Sequence, residues 1–242
     1  MQTAPLQGTQ AQTQVRVNSF VRSVYNWMGI GLALTGFTAY FVASSPSLMS
    51  LMFQVVGNRL QPTMLFYGLI IAELAMVFTL SARVAKMQAS TATALFVAYS
   101  ALNGVTLSSI FIIYTSASIT SVFFICSGTF LATSAYGWMT KKDLTGVGQF
   151  MFMGLIGILI ASVVNIFMQS SAMHMIISYI GVVVFVGLTA YDTQKIKYMA
   201  MSQPVDASGT MIRKGALIGA LTLYLDFINL FLMLLRIFGD RR

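Results

Sequence analysis

Long apolar runs separated by short polar connections make up most of the chain. Seven of these runs have close to the roughly 20 residues that a helix needs to cross the hydrocarbon core of a bilayer. They are 25–43, 62–80, 91–113, 119–138, 150–168, 174–191 and 215–237. None of them alternates between apolar and polar residues with a period of two, as a membrane-spanning strand would. The pattern therefore predicts an all-α membrane protein with seven transmembrane helices.

The segment before the first run is polar and rich in Gln and Thr. It has no apolar stretch of the kind that a cleavable signal peptide requires. We therefore expect residues 1–22 to form a flexible polar arm and residues 23–242 to form a single transmembrane domain. The longest connection within that domain is the loop 192–214.

Charged residues are too rare for a protein that is surrounded by water. Asp, Glu, Lys and Arg make up 8% of the 242 residues, whereas soluble domains have about a quarter. The net charge of +8 comes from basic residues grouped between the apolar runs. Such groups are typical of membrane topology signals rather than of nucleic-acid binding. The single cysteine excludes an internal disulfide.

The basic residues also predict an orientation. If the N-terminus is cytoplasmic, ten of the 14 Lys and Arg residues fall on the cytoplasmic side, which is where they are expected. Three of the other four lie at the end of the last run or beyond it, so a seventh segment that turned back without crossing would place these three on the cytoplasmic side as well. We retain seven crossings because 215–237 is long enough to span. The cytoplasmic ten are Arg16, Arg22, Arg83, Lys86, Lys141, Lys142, Lys195, Lys197, Arg213 and Lys214.

Three acidic residues lie within or at the end of apolar runs. Glu73 is in the middle of the second run, Asp226 is in the middle of the seventh, and Asp192 follows the sixth. A charge inside a membrane is costly and therefore marks a candidate functional residue. A structural role is the alternative for each of them, through a neighbouring helix or through Asn103, Asn165 or Lys195.

The seventh run has a polar face. Small and polar residues recur along it at spacings of three and four, which places them on one side of a helix. Such a face is not suited to lipid, so we predict a central helix whose polar side lines a cavity, with Thr222 and Asn229 facing a pore. The face consists of Gly215, Gly219, Thr222, Asp226, Asn229, Met233 and Arg236.

Two segments resemble a known family. GVVVFVGLTAYDTQKIK (181–197) and GALTLYLDFINLFLMLLRIFG (219–239) are similar to the paired signatures of the Bax inhibitor-1, or transmembrane Bax inhibitor motif, family. The layout of seven runs is also similar, and the branch it resembles belongs to the bacterial inner membrane. The resemblance implies six helices around a central seventh, as the polar face also suggests.

The resemblance further implies a calcium leak whose pH dependence comes from two hydrogen-bonded aspartates. Here these would be Asp192 and Asp226, which would also bind calcium transiently as it passes. An arginine that pairs with the first aspartate corresponds to Arg83, and a membrane glutamate corresponds to Glu73. The implied partners are the lipid bilayer and calcium ions, and no cofactor is expected.

Counting residues sets a condition for the aspartate pair. Asp192 lies about one turn before Lys195, whereas Asp226 lies 12 residues after Lys214, or about 18 Å along a helix. The two carboxylates can meet only if the sixth helix continues past Lys197 or the seventh begins before the membrane face.

Other classes of protein fit less well. A retinal protein would need a lysine at the position of Asp226, and neither the GxSxG pattern of a serine hydrolase nor the GxGD pattern of a presenilin-type protease occurs. We therefore expect no enzymatic activity. The alternative function is an interaction protein that modulates a membrane-bound quality-control protease, which would use the N-terminal arm rather than the aspartates.

Overall fold

The fold is helical along most of the chain that the structure describes. The computed structural model describes residues 5–57, 59–203 and 208–242. A short 3₁₀ segment, Val84–Lys86, follows the third helix. The other elements are α1 (Pro5–Ala43), α2 (Pro46–Met52), β1 (Phe53–Val56), β2 (Arg59–Pro62), α3 (Met64–Arg83), α4 (Ala89–Leu107), α5 (Ile110–Ile113), α6 (Ser116–Met139), α7 (Thr145–Met168), α8 (Ser171–Met201) and α9 (Gly209–Phe238).

Six helical segments in the described chain are long and apolar enough to cross a membrane. They are α3, the stretch Ala89–Ile113, α6, α7, α8 and α9. The part of α1 from Gln14 onward meets the same criterion together with α2, although the two helices are bent by 97°. Counting that bent pair as one span gives seven. The predicted all-α membrane class is confirmed, with six or seven spans.

The first helix begins earlier than the apolar pattern indicates. Residues 5–22 of the predicted polar arm are helical and continuous with the first apolar run, while residues 1–4 lie outside the described residues. Gln, which occurs four times in residues 5–22, is a good helix former. After Pro5 no proline interrupts the helix before Pro46. The flexibility of the arm stays a prediction.

A short hairpin precedes the second apolar run. Strands β1 and β2 are antiparallel, with Phe53 opposite Pro62 and Val56 opposite Arg59. Gly57, at the turn, has a φ of 66°, a left-handed conformation that glycine adopts without strain. Thr63 caps α3 by accepting a hydrogen bond from the backbone N–H of Phe66. The second run therefore becomes helical at Met64 rather than at residue 62.

The contacts within the chain define two compact units. The first unit comprises 5–22, 115–203 and 222–241, and thus contains α6, α7, α8 and most of α9. Glycines allow its helices to approach closely, as expected for helices packed in a membrane. A Cβ added at Gly137 would collide with the main-chain carbonyl of Ala190, and one at Gly148 would collide with the ring of Tyr191.

The second unit comprises 23–57, 59–114, 208–221 and Arg242. Here the Thr35 hydroxyl donates a hydrogen bond of 2.8 Å to the carbonyl oxygen of Ser100, which joins α1 to α4. A Cβ at Gly104 would stand 2.5 Å from the carbonyl oxygen of Thr35, so only glycine fits between these helices. The guanidinium of Arg213 lies 5.6 Å from the centre of the Trp27 ring.

Helix α9 is the most buried of the six spans. In its most apolar window of 18 residues, 72% are buried, against 6% to 44% in the other spans. Most of its side chains are therefore covered by protein, and the predicted arrangement of six helices around it stays a prediction.

Candidate functional site

Two buried carboxyl groups meet in the first unit. A side-chain hydrogen bond joins Asp192 of α8 to Asp226 of α9. The two residues are 8% and 5% exposed. A hydrogen bond between two carboxyl groups requires that one of them carries a proton, because an ionised carboxylate can only accept. A hydrogen bond between these two residues therefore implies a proton shared by the pair.

The lengths of the two helices explain how the pair forms. Helix α8 continues to Met201, beyond Lys197, and α9 begins at Gly209, before Lys214. The sixth apolar helix thus continues past Lys197 and the seventh begins before Lys214, so the two carboxyl groups can lie at the same depth. The connection predicted as 192–214 is in fact mostly helical, and only 202–208 lie between the two helices.

One oxygen of this pair lies away from every other donor. The Oδ2 atom of Asp226 is enclosed by protein atoms and accepts no hydrogen bond from an N–H or hydroxyl group of the described residues. A buried polar atom without a hydrogen bond costs free energy. A proton on the carboxyl pair therefore lowers the cost of burying Asp226.

The pair lies at the wall of a cavity of about 470 Å³ bounded by α7, α8 and α9. This volume is within the range of about 300–1,000 Å³ that is typical of ligand sites. Phe152, at 57% exposure, marks a side that is open to the surroundings. The remaining lining residues are Gly148, Gln149, Leu155, Phe185, Leu188, Tyr191, Lys195, Thr222, Leu225 and Asn229.

The structure places the polar residues of α9 on one wall of this cavity. Thr222 and Asn229 both line it, together with Asp226. The Asn229 side chain also donates a hydrogen bond of 2.8 Å to the carbonyl oxygen of Leu225, one turn earlier in the helix. Asn165, an alternative partner for Asp226, instead accepts a hydrogen bond from the backbone N–H of Ser170.

The other two predicted ion-pathway residues, Glu73 and Arg83, belong to the second unit. The carboxylate of Glu73 accepts a hydrogen bond of 2.6 Å from the hydroxyl of Thr106, which joins α3 to α4. Arg83 is the last residue of α3 and is exposed. Its pairing with Asp192 stays a prediction. Among the described residues, no group of three or more His, Cys, Asp and Glu side chains forms a potential metal site.

Sequence reasoning missed a buried glutamine beside the pair. Gln194 is 2% exposed. Its Oε1 atom accepts a hydrogen bond of 2.9 Å from the backbone N–H of Leu144, and its Nε2 atom donates one of 2.8 Å to the carbonyl oxygen of Lys142. It thereby holds the connection between α6 and α7 against α8. An amide directly after an apolar run was the available signal.

Replacing Gln194 by Met is expected to destabilise this connection. Methionine has a similar length but leaves the Leu144 N–H and the Lys142 carbonyl unpaired, at about 1–3 kcal/mol for each group that stays buried. The thermal unfolding midpoint in detergent should fall, and trypsin should cleave faster after Lys141 and Lys142. The control is Gln149→Met at an exposed position. Equal midpoints and cleavage rates in both variants would contradict the role of Gln194.

The fold and the buried spans define a multi-pass helical membrane protein with a carboxyl pair beside a cavity. The family model described as "Inhibitor of apoptosis-promoting Bax1" matches residues 17–242. The chain therefore belongs to the Bax inhibitor family, and the resemblance seen in its two signature segments is confirmed.

Curated relatives agree with this assignment. "Inner membrane protein YbhL" of Escherichia coli strain K12 is 51% identical over 243 residues, covering 100% of both chains. An uncharacterized protein of Borreliella burgdorferi is 43% identical, with 97% of each chain covered. A protein of Rickettsia prowazekii, RP147, is 44% identical over 92% of this chain and 90% of its own. With its apolar helices, the chain is a multi-pass inner-membrane protein.

Proposed function

We propose that this protein is a pH-sensitive leak pathway for calcium across the membrane, controlled by Asp192 and Asp226. The observation that carries the proposal is the buried, hydrogen-bonded carboxyl pair at the cavity wall. Calcium is the transported ion in this proposal. The protein needs no cofactor and catalyses no reaction.

The proton on the pair is the switch. While one proton is shared, the hydrogen bond holds α8 and α9 together at this depth. When the proton is lost, two negative charges face each other at close range. Two unit charges 4 Å apart repel by about 4 kcal/mol at an effective dielectric constant of 20. This repulsion favours separation of the two helices, so the pathway opens as the pH rises.

The unprotonated pair also suits the chemistry of calcium. Calcium binds six to eight oxygen ligands, and carboxylates are the preferred ones. Asp192 and Asp226 supply up to four oxygens, and Gln149, Thr222 and Asn229, which carry amide or hydroxyl groups, line the same cavity. Water must complete the shell. A partly hydrated ion is held weakly enough to leave again, as conduction requires.

In this proposal the site that contains the aspartate pair faces the cytoplasm, and the N-terminus lies on the same side of the membrane. Three of the residues counted as cytoplasmic lie close together at one end of the first unit. The carbonyl oxygen of Lys142 accepts a hydrogen bond from Gln194, and Lys195 lines the cavity. The ammonium group of Lys197 donates to the carbonyl oxygen of Trp138 at 2.7 Å. A cluster of basic residues at one end is typical of a cytoplasmic face.

Reconstitution in liposomes that enclose a calcium-sensitive dye tests the proposal. Calcium is added outside, with the same pH on both sides of the membrane. We expect an initial dye signal several-fold faster at pH 8 than at pH 6, because the shared proton is lost in this direction. Protein-free liposomes are the control. If the rate with protein equals the protein-free rate at both pH values, the leak is refuted. If the rate with protein exceeds the protein-free rate but is the same at pH 6 and pH 8, the pH switch is refuted.

A further inference from the structure

We propose that the hairpin formed by β1 and β2 lies in the interface of the lipid bilayer, with one of its two faces against the acyl chains. The hairpin belongs to the second unit, and its position does not depend on the proposed leak. Three observations carry the proposal: the division of the hairpin into an apolar and a polar face, the contact of the apolar face with α3, and the place of the hairpin directly before that span.

The strand register separates apolar from polar residues. Successive residues of a strand alternate between its two faces, and residues directly opposite each other in an antiparallel pair share a face. Gln54 is opposite Gln61 on one face, which is mainly polar. Val56, beside the turn, lies on that face as well and is opposite Arg59. The other face is entirely apolar and consists of Phe53, Val55, Leu60 and Pro62. The hairpin is therefore amphipathic.

The apolar face is turned toward the span that follows the hairpin. The centre of the Phe53 ring lies 5.0 Å from the centre of the Phe66 ring, and Phe66 is in the first turn of α3. Val55 and Leu60 share this face nearer to the turn of the hairpin, where they are 72% and 48% exposed. Contact with acyl chains would remove this apolar surface from water, which is favourable.

Helix α3 fixes the depth of the hairpin. Its 20 residues extend about 30 Å at about 1.5 Å per residue, which is close to the thickness of the hydrocarbon core. The whole helix is therefore needed for the crossing, and Met64 at its start lies at the membrane boundary. Only Thr63 separates β2 from α3, and its backbone N–H donates a hydrogen bond of 2.8 Å to the carbonyl oxygen of Met52, the last residue of α2. Both ends of the hairpin are thus held at the boundary.

The start of α3 has the surface that is typical of a membrane boundary. Met64, Leu65 and Tyr67 are all exposed in its first turn, and tyrosine is enriched at the level of the lipid headgroups. Helix α3 is also the least buried of the six spans, with 6% of its most apolar window buried, so lipid covers most of its surface. Through the contact between Phe53 and Phe66, the apolar face of the hairpin continues a surface that contacts lipid.

The free edges of the strands limit how deep the hairpin can lie. In the described chain, β1 and β2 form a sheet of only two strands, so each strand has one edge without a neighbouring strand. Backbone groups at such an edge are not stable in the hydrocarbon core, where nothing else can form hydrogen bonds with them. Water and headgroups can do so in the interface, on the side of Gln54 and Gln61. The hairpin therefore lies in the interface with its apolar face inward.

Spin labelling of single added cysteines tests this position. Val55→Cys and Leu60→Cys place a nitroxide on the apolar face, and Gln54→Cys and Gln61→Cys are the matched controls on the polar face. Each full-length variant is reconstituted in vesicles of phosphatidylethanolamine and phosphatidylglycerol. Electron paramagnetic resonance measures how often the label collides with oxygen, which concentrates in hydrocarbon, and with a nickel complex, which stays in water. The parent, whose Cys126 is buried, gives the background labelling.

The ratio of the two collision rates shows where each face lies. We expect the oxygen-to-nickel ratio to be several-fold higher at positions 55 and 60 than at positions 54 and 61. Equal ratios on the two faces would exclude an interfacial hairpin and overturn the proposal. Low collision rates with both reagents at positions 55 and 60 would show that protein, such as a second copy of this chain, covers the apolar face, and would also overturn it. Because no flux is measured, the outcome is independent of the liposome assay for the leak.

Discussion

Asp226→Asn is expected to remove the pH dependence of calcium flux. Asparagine has the shape of aspartate, and its amide group can donate to the carboxylate of Asp192, so the contact between α8 and α9 is kept. It cannot ionise, so the pair never carries two negative charges and the repulsion that favours opening is lost. Loss of this repulsion should lower the flux at pH 8 several-fold, to about the rate of the parent at pH 6.

The matched control for this variant is Asp143→Asn. The Asp143 carboxylate accepts hydrogen bonds from the hydroxyl and from the backbone N–H of Thr145, of which the first has the larger effect. These hydrogen bonds hold the pKa of Asp143 below its usual value. Asp143 is therefore ionised at both pH 6 and pH 8, and its charge contributes no pH dependence in this window. The liposome assay at both pH values measures parent and variants. A full pH response in Asp226→Asn would exclude the pair as the switch.

Gly137→Ala is expected to destabilise the protein strongly. The added Cβ would collide with the carbonyl oxygen of Ala190 and stand 3.0 Å from its Cα, so it meets the main chain of α8 rather than a movable side chain. Helices α6 and α8 must separate to accommodate it. Overpacking of this kind typically costs about 1–3 kcal/mol. We expect a value at the upper end, which corresponds to a fall in the unfolding midpoint of about 6 °C or more.

A second glycine of the same helix provides the control. Gly128 also lies in α6, but a Cβ added there meets nothing within 4 Å. Gly128→Ala gains helix propensity and loses no space, so its midpoint should stay within about 1 °C of the parent or rise slightly. Thermal unfolding of both variants in the same detergent is the measurement. Equal midpoints in Gly137→Ala and Gly128→Ala would show that α6 and α8 do not need this close contact.

Residue spacing along the last apolar run predicted part of the site. The spacing of Thr222, Asp226 and Asn229 placed them on one helix face, and the structure places all three at one cavity wall. The same counting could not decide whether Asp192 and Asp226 meet, because helix ends in polar segments depend on packing. The end of α8 at Met201 settles their relative depth. Gln194 was missed because a single amide after an apolar run has no periodic signal.

The sequence by itself determined the class of the protein, because long uncharged runs leave their backbone groups no alternative to helices in a bilayer. It also determined the family, through segments 181–197 and 219–239. Only the tertiary structure decided which polar groups pair, since a hydrogen bond depends on distances of a few tenths of an ångström between distant parts of the chain. It joined Asp192 to Asp226, Gln194 to Leu144 and Glu73 to Thr106. It also buried the Oδ2 atom of Asp226 away from every N–H and hydroxyl donor of the described residues, because the helices that enclose this atom pack in a way that no local pattern specifies.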